Sequence, residues 1–425
     1  MNIWLIQTGE PLPIRVSIRK MRTALLADKL LERGHNILWW GSAFEHQRKI
    51  AISESDRNFH MSERYTIRVL RGSGYRRNIS LSRYIDHQIV ALKFKTQSKK
   101  FPQPDIIVAS MPDHLLAYEA ARYARKNGIP FLVDVRDLWP DIFLARFKSM
   151  GLYGMGKLVL ALDFARLSFL LKNAESLVAV CKSYLNWGLD KAGRAENSFD
   201  RVFYLGYQNS NFRSNARASE ILDVPAWLKG REDQKLFVFI GTFGISYDLE
   251  LIVEAAKRFQ KTGKSDIYFI LAGTGEKSDI ISKKSVGLHN VMLLGWIGQK
   301  EISTLLRSSY AGLLSYVKGA PQGLPNKPFE YLSAGLPLIN SLEGEMADLI
   351  DQHRLGFNYF PGDLEGFSSC IERITADANL HDHMSRNALA FFQKYGDADK
   401  IYDEYARHIE CLVEHKRHAN IEVRD

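Results

Sequence analysis

The sequence predicts an α/β protein with two doubly wound domains that face a central cleft, and three observations lead to this fold class. The chain has 425 residues, which is too many for one ordinary core. Short apolar strands alternate with amphipathic helices, a pattern typical of a parallel sheet covered on both faces. A polar stretch at residues 207–220 interrupts this alternation, which then starts again.

The first run of elements begins at residue 2. "NIWLIQ" (2–7) predicts a buried strand, and "KMRTALLADKLLERG" (20–34) predicts a helix that ends at Gly34. "HNILWW" (35–40) then predicts the next strand. The same alternation predicts a helix at 115–128 and strands at 105–110, 130–135, 175–181 and 201–207. These elements form the predicted sheet of the first domain.

The second run begins after the polar stretch. A strand followed by a loop is predicted within each of 236–244, 266–276 and 291–298, and further strands at 310–316 and 336–340. Helices are predicted at 249–260, 302–309 and 326–335. We therefore expect a first domain over residues 1–205, completed by a C-terminal helix over about 396–425, and a second domain over residues 206–395. Ligands of doubly wound sheets bind at the carboxyl ends of the strands, so the cleft between the domains is the expected site.

Charge is distributed unevenly along the chain. Residues 1–205 contain 32 Lys and Arg against 19 Asp and Glu, a net charge of +13, whereas residues 206–425 contain 25 against 29. A basic domain suits nucleic acid, an anionic membrane surface or a phosphorylated substrate. The sequence has no recognisable nucleic-acid-binding motif, so nucleic acid is not an expected partner, while an anionic membrane surface is.

The sequence also bears on the compartment. Cys181, Cys370 and Cys411 show neither metal-ligand spacing nor an even disulfide framework, which indicates a reducing compartment. Charged residues interrupt the apolar stretch at 155–174, which favours an amphipathic core helix over a membrane span. The start of the chain lacks a signal-peptide pattern. We expect a cytoplasmic protein, with peripheral binding at the inner face of the membrane as an extension of that expectation.

The most specific motif is "KGAPQGLPNKPFEYLSAGLPLINS" (318–341). Asn326 is expected to cap a helix whose first turn contains Pro328 and Glu330, and Lys327 lies at the same helix start. A carboxylate, an ammonium group and free N–H groups on one solvent-facing loop suit a ribose and a diphosphate. Alternatively, Glu330 only complements the helix dipole. The local pattern leaves both interpretations open.

Several motifs together resemble a known family. "LPNKPFEYLSAGLPLI", "FVFIGTFG", "YFILAGTGE" and "NVMLLGWIG" are similar to the donor domain of the family-four retaining glycosyltransferases of GT-B fold, known as glycosyl transferases group 1. "RTALLADKLLERGHNILWW" and "PFLVDVRDLWPD" resemble members that build bacterial surface polysaccharides. The resemblance implies transfer of a hexosyl or N-acetylhexosaminyl group from a nucleotide-sugar co-substrate, with UDP expected, to a glycan or lipid-linked acceptor. It also implies that neither a metal nor another cofactor takes part.

The same resemblance assigns the donor-binding residues. Glu330 matches the second glutamate of the E-x7-E motif, which holds the ribose, but the first glutamate is replaced by Gln322. Gln322 can still form hydrogen bonds with the sugar. "GTFGISYDLE" lacks the basic pair that many members have there, so Lys327 is expected to provide the diphosphate contact. The remaining predicted donor-binding residues are Asn326, Gly323, Gly244, Gly273, Trp296 and Arg22.

The first domain supplies the other predicted site residues. "PIRVSIRKMR" (13–22) replaces the glycine-rich loop of the family, so either its arginines bind phosphate or the donor site is altered. Arg22 ranks above Arg15 and Arg19 because it matches the family's helix start. The predicted catalytic residues are His114, Lys327, Arg136 and Asp137. For His114 the alternative is a solvent-facing residue at a helix start, and for Arg136 and Asp137 it is a loop salt bridge.

Other functions share this fold. A non-catalytic or degenerate GT-B protein that binds an anionic membrane or a glycan would account for the basic domain and the missing glycines. A nucleotide-sugar epimerase would share the cleft but lacks the "NKPFEYLSAG" pattern, and a sugar phosphorylase would need a cofactor-binding lysine context that the sequence does not contain.

Overall fold

The computed structural model describes residues 1–15, 18–77, 80–208, 228–231 and 233–422. Most of the polar stretch at 207–220 lies outside the described residues. The chain forms two compact units, one of residues 1–204 and 400–425, the other of residues 205–399. Both units contain a largely parallel sheet with helices, so the predicted α/β fold class is confirmed. The roles assigned to the two domains remain predictions.

The first unit contains an eight-stranded sheet. Its strand order is β10-β9-β8-β7-β1-β2-β6-β5, and every neighbouring pair is parallel except β5 and β6. A separate antiparallel pair, β3 and β4, follows β2. The strands are β1 (Asn2–Ile6), β2 (Asn36–Ser42), β3 (Phe44–Glu45), β4 (Ile50–Ala51), β5 (Arg57–Ser62), β6 (Tyr65–Leu70), β7 (Ile106–Ser110), β8 (Phe131–Val135), β9 (Ser176–Ala179) and β10 (Arg201–Val202).

Described helices follow β1, β6, β7, β8 and β9. They are α1 (Arg22–Glu32), α2 (Leu81–Gln97), α3 (His114–Asn127), α4 (Asp141–Ser149), α5 (Tyr153–Val159), α6 (Ala161–Lys172) and α7 (Lys182–Ala192). The single helix predicted at 155–174 is wrong in detail, because α5 and α6 meet at Leu160. The strand predicted at 201–207 is also too long, since β10 ends at Val202. The antiparallel pair β5–β6 was not predicted, because the edge strand β5 is largely exposed and lacks an apolar alternation.

The second unit contains a six-stranded parallel sheet in the order β13-β12-β11-β14-β15-β16. The chain builds one half outward from β11 and the other half outward from β14, so the order reverses between these two strands. The strands are β11 (Lys235–Ile240), β12 (Ile267–Ala272), β13 (Val291–Gly295), β14 (Ala311–Leu314), β15 (Leu338–Asn340) and β16 (Gly356–Asn358). The helices are α8 (Leu249–Lys261), α9 (Ser278–Lys284), α10 (Gln299–Ser308), α11 (Lys327–Ser333), α12 (Glu345–His353), α13 (Leu364–Ala376) and α14 (Ala378–Phe391).

The last helix, α15 (Ala398–Glu422), contributes residues 400 onward to the first unit. Arg33, at the end of α1, forms ion pairs with Asp403 at 3.0 Å and Glu410 at 2.6 Å. Tyr405 stacks on Phe203 with the ring centroids 4.7 Å apart. The C-terminal helix therefore packs on the first unit through both charge and apolar contact. Among the described helices, none has the length and apolar content that a membrane span requires.

Candidate functional site

The reversal of strand order in the second unit creates a crevice at the carboxyl ends of β11 and β14. Adjacent crossovers leave such a strand pair in opposite directions, so their loops diverge and leave room for a ligand. The loop after β11 contains Gly241 and Gly244, and the loop after the neighbouring β12 contains Gly273. Helix α11, which begins with Lys327, follows β14.

Two of these glycines are required by backbone packing. Gly241 and Gly273 have φ angles of +144° and +143°, which side chains disfavour. A Cβ atom at Gly273 would overlap the carbonyl oxygen of Gly241, and one at Gly241 would overlap the Lys327 side chain. The N–H of Gly241 donates to the carbonyl of Ala272 at 2.8 Å, which joins the two loops. Gly244, in contrast, has open space around it, since the nearest atom lies 4.0 Å from a Cβ built there.

The ammonium group of Lys327 is the least compensated charge in this crevice. Its Nζ lies 3.9 Å from the ring centroid of Phe239 and 3.5 Å from that of Tyr247. The atom is buried and has no hydrogen-bond partner among the described residues. Burial lowers the pKa of Lys327 well below its ordinary value, and the attraction of Glu330 opposes this shift only in part. The two aromatic faces provide a cation–π contact but no anion.

Helix α11 places Glu330 one turn from Lys327. Glu330 is only 6% exposed, so the expectation of a solvent-facing loop is wrong for this residue. The next residue, Tyr331, accepts a hydrogen bond from the N–H of Ile240 through its hydroxyl at 2.9 Å, which fixes α11 against β11. Asn326 occupies the N-cap position as predicted, but its side chain makes no capping hydrogen bond.

The remaining predicted donor-binding residues differ in exposure. Gln322 and Gly323 are half-buried, and Gln322 Oε1 has no hydrogen-bond partner among the described residues. Trp296 follows the edge strand β13 and is 80% exposed. Its indole ring is therefore available to a ligand but is not held by the protein. Gln322 has an amide oxygen that a sugar hydroxyl can satisfy.

Arg22 is engaged in a buried network inside the first unit. Its guanidinium donates to both carboxylate oxygens of Asp134, at 2.9 and 3.1 Å, and to the carbonyls of Phe203 and Tyr204, and it lies 5.2 Å from the ring centroid of Tyr405. These contacts give Arg22 a structural role, and the predicted donor contact would require the network to open. Burial alone would raise the pKa of Asp134, but Arg136 and Arg22 hold it below its usual range.

Arg136 extends the same network toward a cavity. Its Nε donates to Asp134 at 2.7 Å, its Nη2 donates to Ser110 at 2.8 Å and to Thr23, and its Nη1 is bonded to Glu10. The loop salt bridge considered for Arg136 is thus present. Glu10 also accepts from the N–H of Thr23 at 3.0 Å, in the first turn of α1. The network therefore positions Arg136 on the cavity wall.

This cavity has a volume of about 520 Å³, lies within the first unit, and is called the acceptor cavity after the role that we propose for it below. Asp137 is on its wall, and burial raises the pKa of this carboxyl group while the N–H of Leu138, donating at 2.9 Å, opposes the shift. The guanidinium of Arg83 lies 4.3 Å from the ring centroid of Trp139. The lining residues that carry polar or aromatic groups are Gln7, Glu10, His46, Arg83, Arg136, Asp137, Trp139 and Phe143.

His114 begins α3 and is buried, so the alternative of a solvent-facing histidine is wrong. Its Nε2 lies 3.1 Å from Asp163, whereas its Nδ1 has no hydrogen-bond partner among the described residues. The preceding residue, Asp113, caps α3 and accepts from Thr8 at 2.9 Å. His87 and the N–H of Leu116 hold the pKa of Asp113 at about 2 despite its burial. His114 does not line the acceptor cavity.

Three residues of this cavity were not singled out by the sequence. His46 and Arg83 lie on segments far apart in the chain, and their proximity follows from the sheet order. Trp139 lies within the quoted motif "VDVRDLWPD", so a large aromatic two residues after the charged pair Arg136 and Asp137 was the available signal. In the part of the chain that the structure describes, no group of three His, Cys, Asp or Glu side chains is placed to hold a metal ion.

Comparison with known proteins identifies the second unit. Residues 226–391 match the family model described as glycosyl transferases group 1. This part of the second unit is similar to the group 1 glycosyltransferases. The predicted resemblance is thereby confirmed. A curated relative, the uncharacterized glycosyltransferase MJ1607 of Methanocaldococcus jannaschii, is 21% identical over 199 residues, which are 46% of this chain and 50% of the relative. The chain therefore spans about half the length of the curated relative that it matches.

Solved structures show the fold of the whole chain. HepE of Anabaena in complex with UDP-glucose is 15% identical, with a TM-score of 0.61 and coverage of 97% of this chain and 100% of that chain. Trehalose-6-phosphate synthase of E. coli bound with UDP-2-fluoro glucose is 14% identical, with a TM-score of 0.69 and coverage of 97% and 99%. Sucrose-phosphate synthase of Thermosynechococcus elongatus is 14% identical, with a TM-score of 0.67 and coverage of 97% and 98%. The fold is GT-B, as predicted.

Proposed function

We propose that the protein is a retaining glycosyltransferase that moves a hexosyl or N-acetylhexosaminyl group from a UDP-sugar to a glycan or lipid-linked acceptor in surface polysaccharide biosynthesis. One observation carries the donor half of this proposal. The ammonium group of Lys327 is buried beside the loops of Gly241 and Gly273, with no anion among its described neighbours other than Glu330. A buried cation of this kind is expensive unless a ligand brings the compensating charge.

Each of the proposed donor residues is assigned to one part of the UDP-sugar. Glu330 accepts hydrogen bonds from the ribose hydroxyls, and Lys327 faces the diphosphate. Gly244, where a Cβ would meet no atom closer than 4.0 Å, leaves the loop backbone after β11 open to close approach. Gln322 contacts the sugar ring. Structures of HepE with UDP-glucose and of trehalose-6-phosphate synthase with UDP-2-fluoro glucose support a UDP-linked donor.

The catalytic step depends on the charge of the leaving diphosphate. The negative charge of the donor raises the pKa of Lys327, so that the side chain binds as an ammonium ion. As the glycosidic bond breaks, the charge on the diphosphate grows and its attraction to Lys327 strengthens, which stabilises the transition state more than the ground state. The leaving diphosphate accepts the proton of the acceptor hydroxyl on the same face. This mechanism, implied by the family, uses no protein nucleophile and no metal.

The acceptor cavity supplies the other half of the proposal. The indole face of Trp139 suits the apolar face of a sugar ring, and Asp137 is placed to bond an acceptor hydroxyl. Arg136, on the same wall, is suited to an anionic group of the acceptor. His114 is buried, and its Nε2 lies beside Asp163. We assign it an indirect role in catalysis, in which it holds the start of α3 in position. These roles assign the acceptor to the first unit.

We also propose that the protein works at the cytoplasmic face of a membrane. Large apolar side chains are exposed along one segment of the first unit, at Met150, Met155, Leu158, Val159 and Leu162, which are together called the apolar surface below. Exposed cations, Arg146, Lys148 and Lys157, lie on the same segment. Apolar side chains beside cations suit the interface of an anionic bilayer, where a lipid-linked acceptor would be presented.

The proposal is tested by nucleotide binding and turnover. Purified protein is screened with UDP-sugars for UDP release and thermal shift, and Glu330→Ala and Lys327→Ala are compared with Lys300→Ala, an exposed control on α10. Glu330→Ala should weaken UDP binding by about 1.5–3 kcal/mol, as expected for hydrogen bonds to a charged group. Lys327→Ala should lower kcat more than it raises KM. Gln322→Ala should change sugar selectivity and leave UDP affinity unchanged.

A second candidate function is a non-catalytic GT-B protein that binds an anionic membrane or glycan. The neutral Gln322 at the position of the first glutamate and the missing basic pair favour it. It predicts that no nucleotide changes the melting temperature and that Lys327→Ala does not affect any UDP response. An epimerase predicts a different result, namely interconversion of UDP-sugars without acceptor and without UDP release.

A further inference from the structure

The first unit contains a second cavity that the proposed reaction does not use. It has a volume of about 560 Å³ and is bordered by the β3–β4 pair, by residues of the stretch 71–77 after β6, and by Ser80 and Ser82 at the start of α2. Its wall carries the cations Lys49, Arg71, Arg76 and Arg77 and the hydroxyls of Ser73, Ser80 and Ser82. Among the described residues that line it there is no Asp or Glu. This cavity is called the basic cavity.

The positive charges at the basic cavity act on one another. Burial, together with repulsion by Arg83, lowers the pKa of Lys49, and burial with Arg83 and Lys49 lowers the pKa of His46 to about 4. Lys49 also has a φ angle of +57°, an unusual conformation for a residue other than glycine. Its Nζ lies 3.2 Å from His46 Nδ1. Lys49 and Arg83 lie 4.9 and 5.5 Å from the ring centroid of Tyr75, and two cations this close to one ring favour an anionic ligand.

Nearby carboxylates leave most of this charge uncompensated. Glu54 pairs with Arg71 at 3.3 Å but is largely exposed, so solvent screens the pair. Asp86 accepts from the N–H of Gly74 at 2.6 Å, and Asp56 accepts from Lys93 and from the N–H of Arg71. The structure gives no ion pair between a described carboxylate and the exposed guanidinium groups of Arg76 and Arg77.

The basic cavity and the acceptor cavity share a wall. Tyr75 lines the basic cavity, and its hydroxyl lies 2.7 Å from Nδ1 of His46, which lines the acceptor cavity. Arg83, also of the acceptor cavity, lies 5.5 Å from the ring centroid of Tyr75. Exposed apolar side chains of Leu81 and Ile85 begin α2 directly after Ser80. A ligand that occupies both cavities would place a sugar in the acceptor cavity and an anionic group in the basic cavity. Its apolar part would then lie beside Leu81 and Ile85.

We propose that the basic cavity binds a phosphate or diphosphate group, and that this group belongs to the acceptor whose sugar occupies the acceptor cavity. The second clause rests on the proposed function, whereas the phosphate site itself does not. Guanidinium groups bind phosphate oxygens in pairs, and the hydroxyls of Ser73, Ser80 and Ser82 can donate to the remaining oxygens. The phosphate can come from a lipid headgroup or from a soluble phosphate ester.

The experiment measures binding of inorganic pyrophosphate to the full-length protein by calorimetry, with UDP at saturation so that the donor site is occupied. The variant Arg76→Ala with Arg77→Ala is compared with Lys99→Ala with Lys100→Ala, which removes the same charge from an exposed site at the end of α2. Loss of two charged hydrogen-bonding groups should weaken pyrophosphate binding at least about tenfold, and the control should stay within about twofold of wild type. Both variants should retain wild-type UDP affinity.

A second arm identifies the source of the phosphate. Vesicles of phosphatidylcholine with phosphatidic acid are compared with phosphatidylcholine alone. Selective loss of phosphatidic acid binding in the Arg76/Arg77 variant supports a lipid headgroup, and an effect on pyrophosphate alone supports a soluble phosphate ester. Equal losses in both variants, or no loss in either, overturn the proposal. Failure of wild type to bind UDP would contradict the proposed function instead, because pyrophosphate binding is read from a separate site.

Discussion

At the scale of single residues, Lys327 has the most testable chemistry. Its amine is buried between two aromatic rings, and its pKa is lowered well below 10.5. The neutral form therefore predominates in the free protein at alkaline pH, whereas a bound diphosphate favours the ammonium form. In the proposed donor site, Lys327 would therefore gain a proton when the nucleotide-sugar binds.

We expect UDP binding at pH 9 to take up a proton, because the ligand raises the pKa of Lys327. Calorimetry in buffers of different ionisation enthalpy measures this uptake. Lys327→Met, which keeps an apolar stem between Phe239 and Tyr247, should abolish it, and the exposed control Lys300→Met should not. Equal heats in all buffers for wild type would show that Lys327 does not change charge on binding.

The same shift affects stability with a defined sign. The folded-state pKa of Lys327 is lower than that of the unfolded chain, so the unfolded state binds more protons between the two values. The penalty is fully present below the lowered pKa and disappears as pH rises through the window toward the unfolded value near 10.5. Lys327→Met should therefore be more stabilising at neutral pH than at pH 11, as measured by denaturant unfolding.

At the scale of elements, the loops after β11 and β12 form one unit because their backbones touch. Gly273→Ala should destabilise the protein by about 3 kcal/mol or more, since the new Cβ would overlap the carbonyl oxygen of Gly241, which belongs to a fixed loop. The matched control is Gly263→Ala, where φ is +72° but no atom lies within 4 Å of a Cβ. That change should cost about 1 kcal/mol from backbone strain alone. Equal melting temperatures for the two variants would contradict the packing argument.

The buried network of Asp134 joins α1, β8 and α15. Asp134→Asn should cost about 3–5 kcal/mol, because it leaves the buried guanidinium group of Arg22 without a carboxylate and that of Arg136 with Glu10 as its remaining ion pair. The lowered pKa of Asp134 means that its stabilisation is present above the unfolded value of about 3.9 and is lost as pH falls through the folded value. Disruption of the exposed pair Lys20–Asp28 by Lys20→Ala, followed by denaturant unfolding, serves as the control and should change stability little.

At the scale of the whole molecule, the proposed membrane binding depends on both the positive charge of the first unit and the apolar surface. Binding to anionic vesicles should be strong at low salt and weaken with added salt, because the first unit provides most of the positive charge. Leu158→Glu places a charge on a side chain that is 78% exposed on the apolar surface and should reduce co-sedimentation. Val286→Glu, on a residue 81% exposed in the second unit, should not. Binding that ignores both salt and Leu158→Glu would contradict the membrane proposal.

The local sequence predicted those elements that have a regular apolar periodicity and a glycine or capping residue at their ends. β1, α1 and β2 follow the predicted order, and Gly34 ends α1 with a φ of +89°. In the second unit, Asn326 and Lys327 begin α11 where the motif places them. The edge strand β5 and the break between α5 and α6 were missed, because exposure removes the apolar alternation and a short turn between apolar helices leaves no glycine or proline signal at Leu160.

The sequence by itself determined the α/β class and the resemblance to group 1 glycosyltransferases, and it named the residues that we propose for the donor site, since these depend on short stretches of contiguous chain. Only the tertiary structure decided how those residues are used. Arg22 is committed to Asp134 and Tyr405, which are far away in the chain, and Glu330 is buried rather than solvent-facing. The two cavities likewise bring together His46, Arg83 and Trp139, because strand order, and not chain order, sets which loops are neighbours. Burial and proximity are properties of the packed chain, and they determine charge state and available contacts.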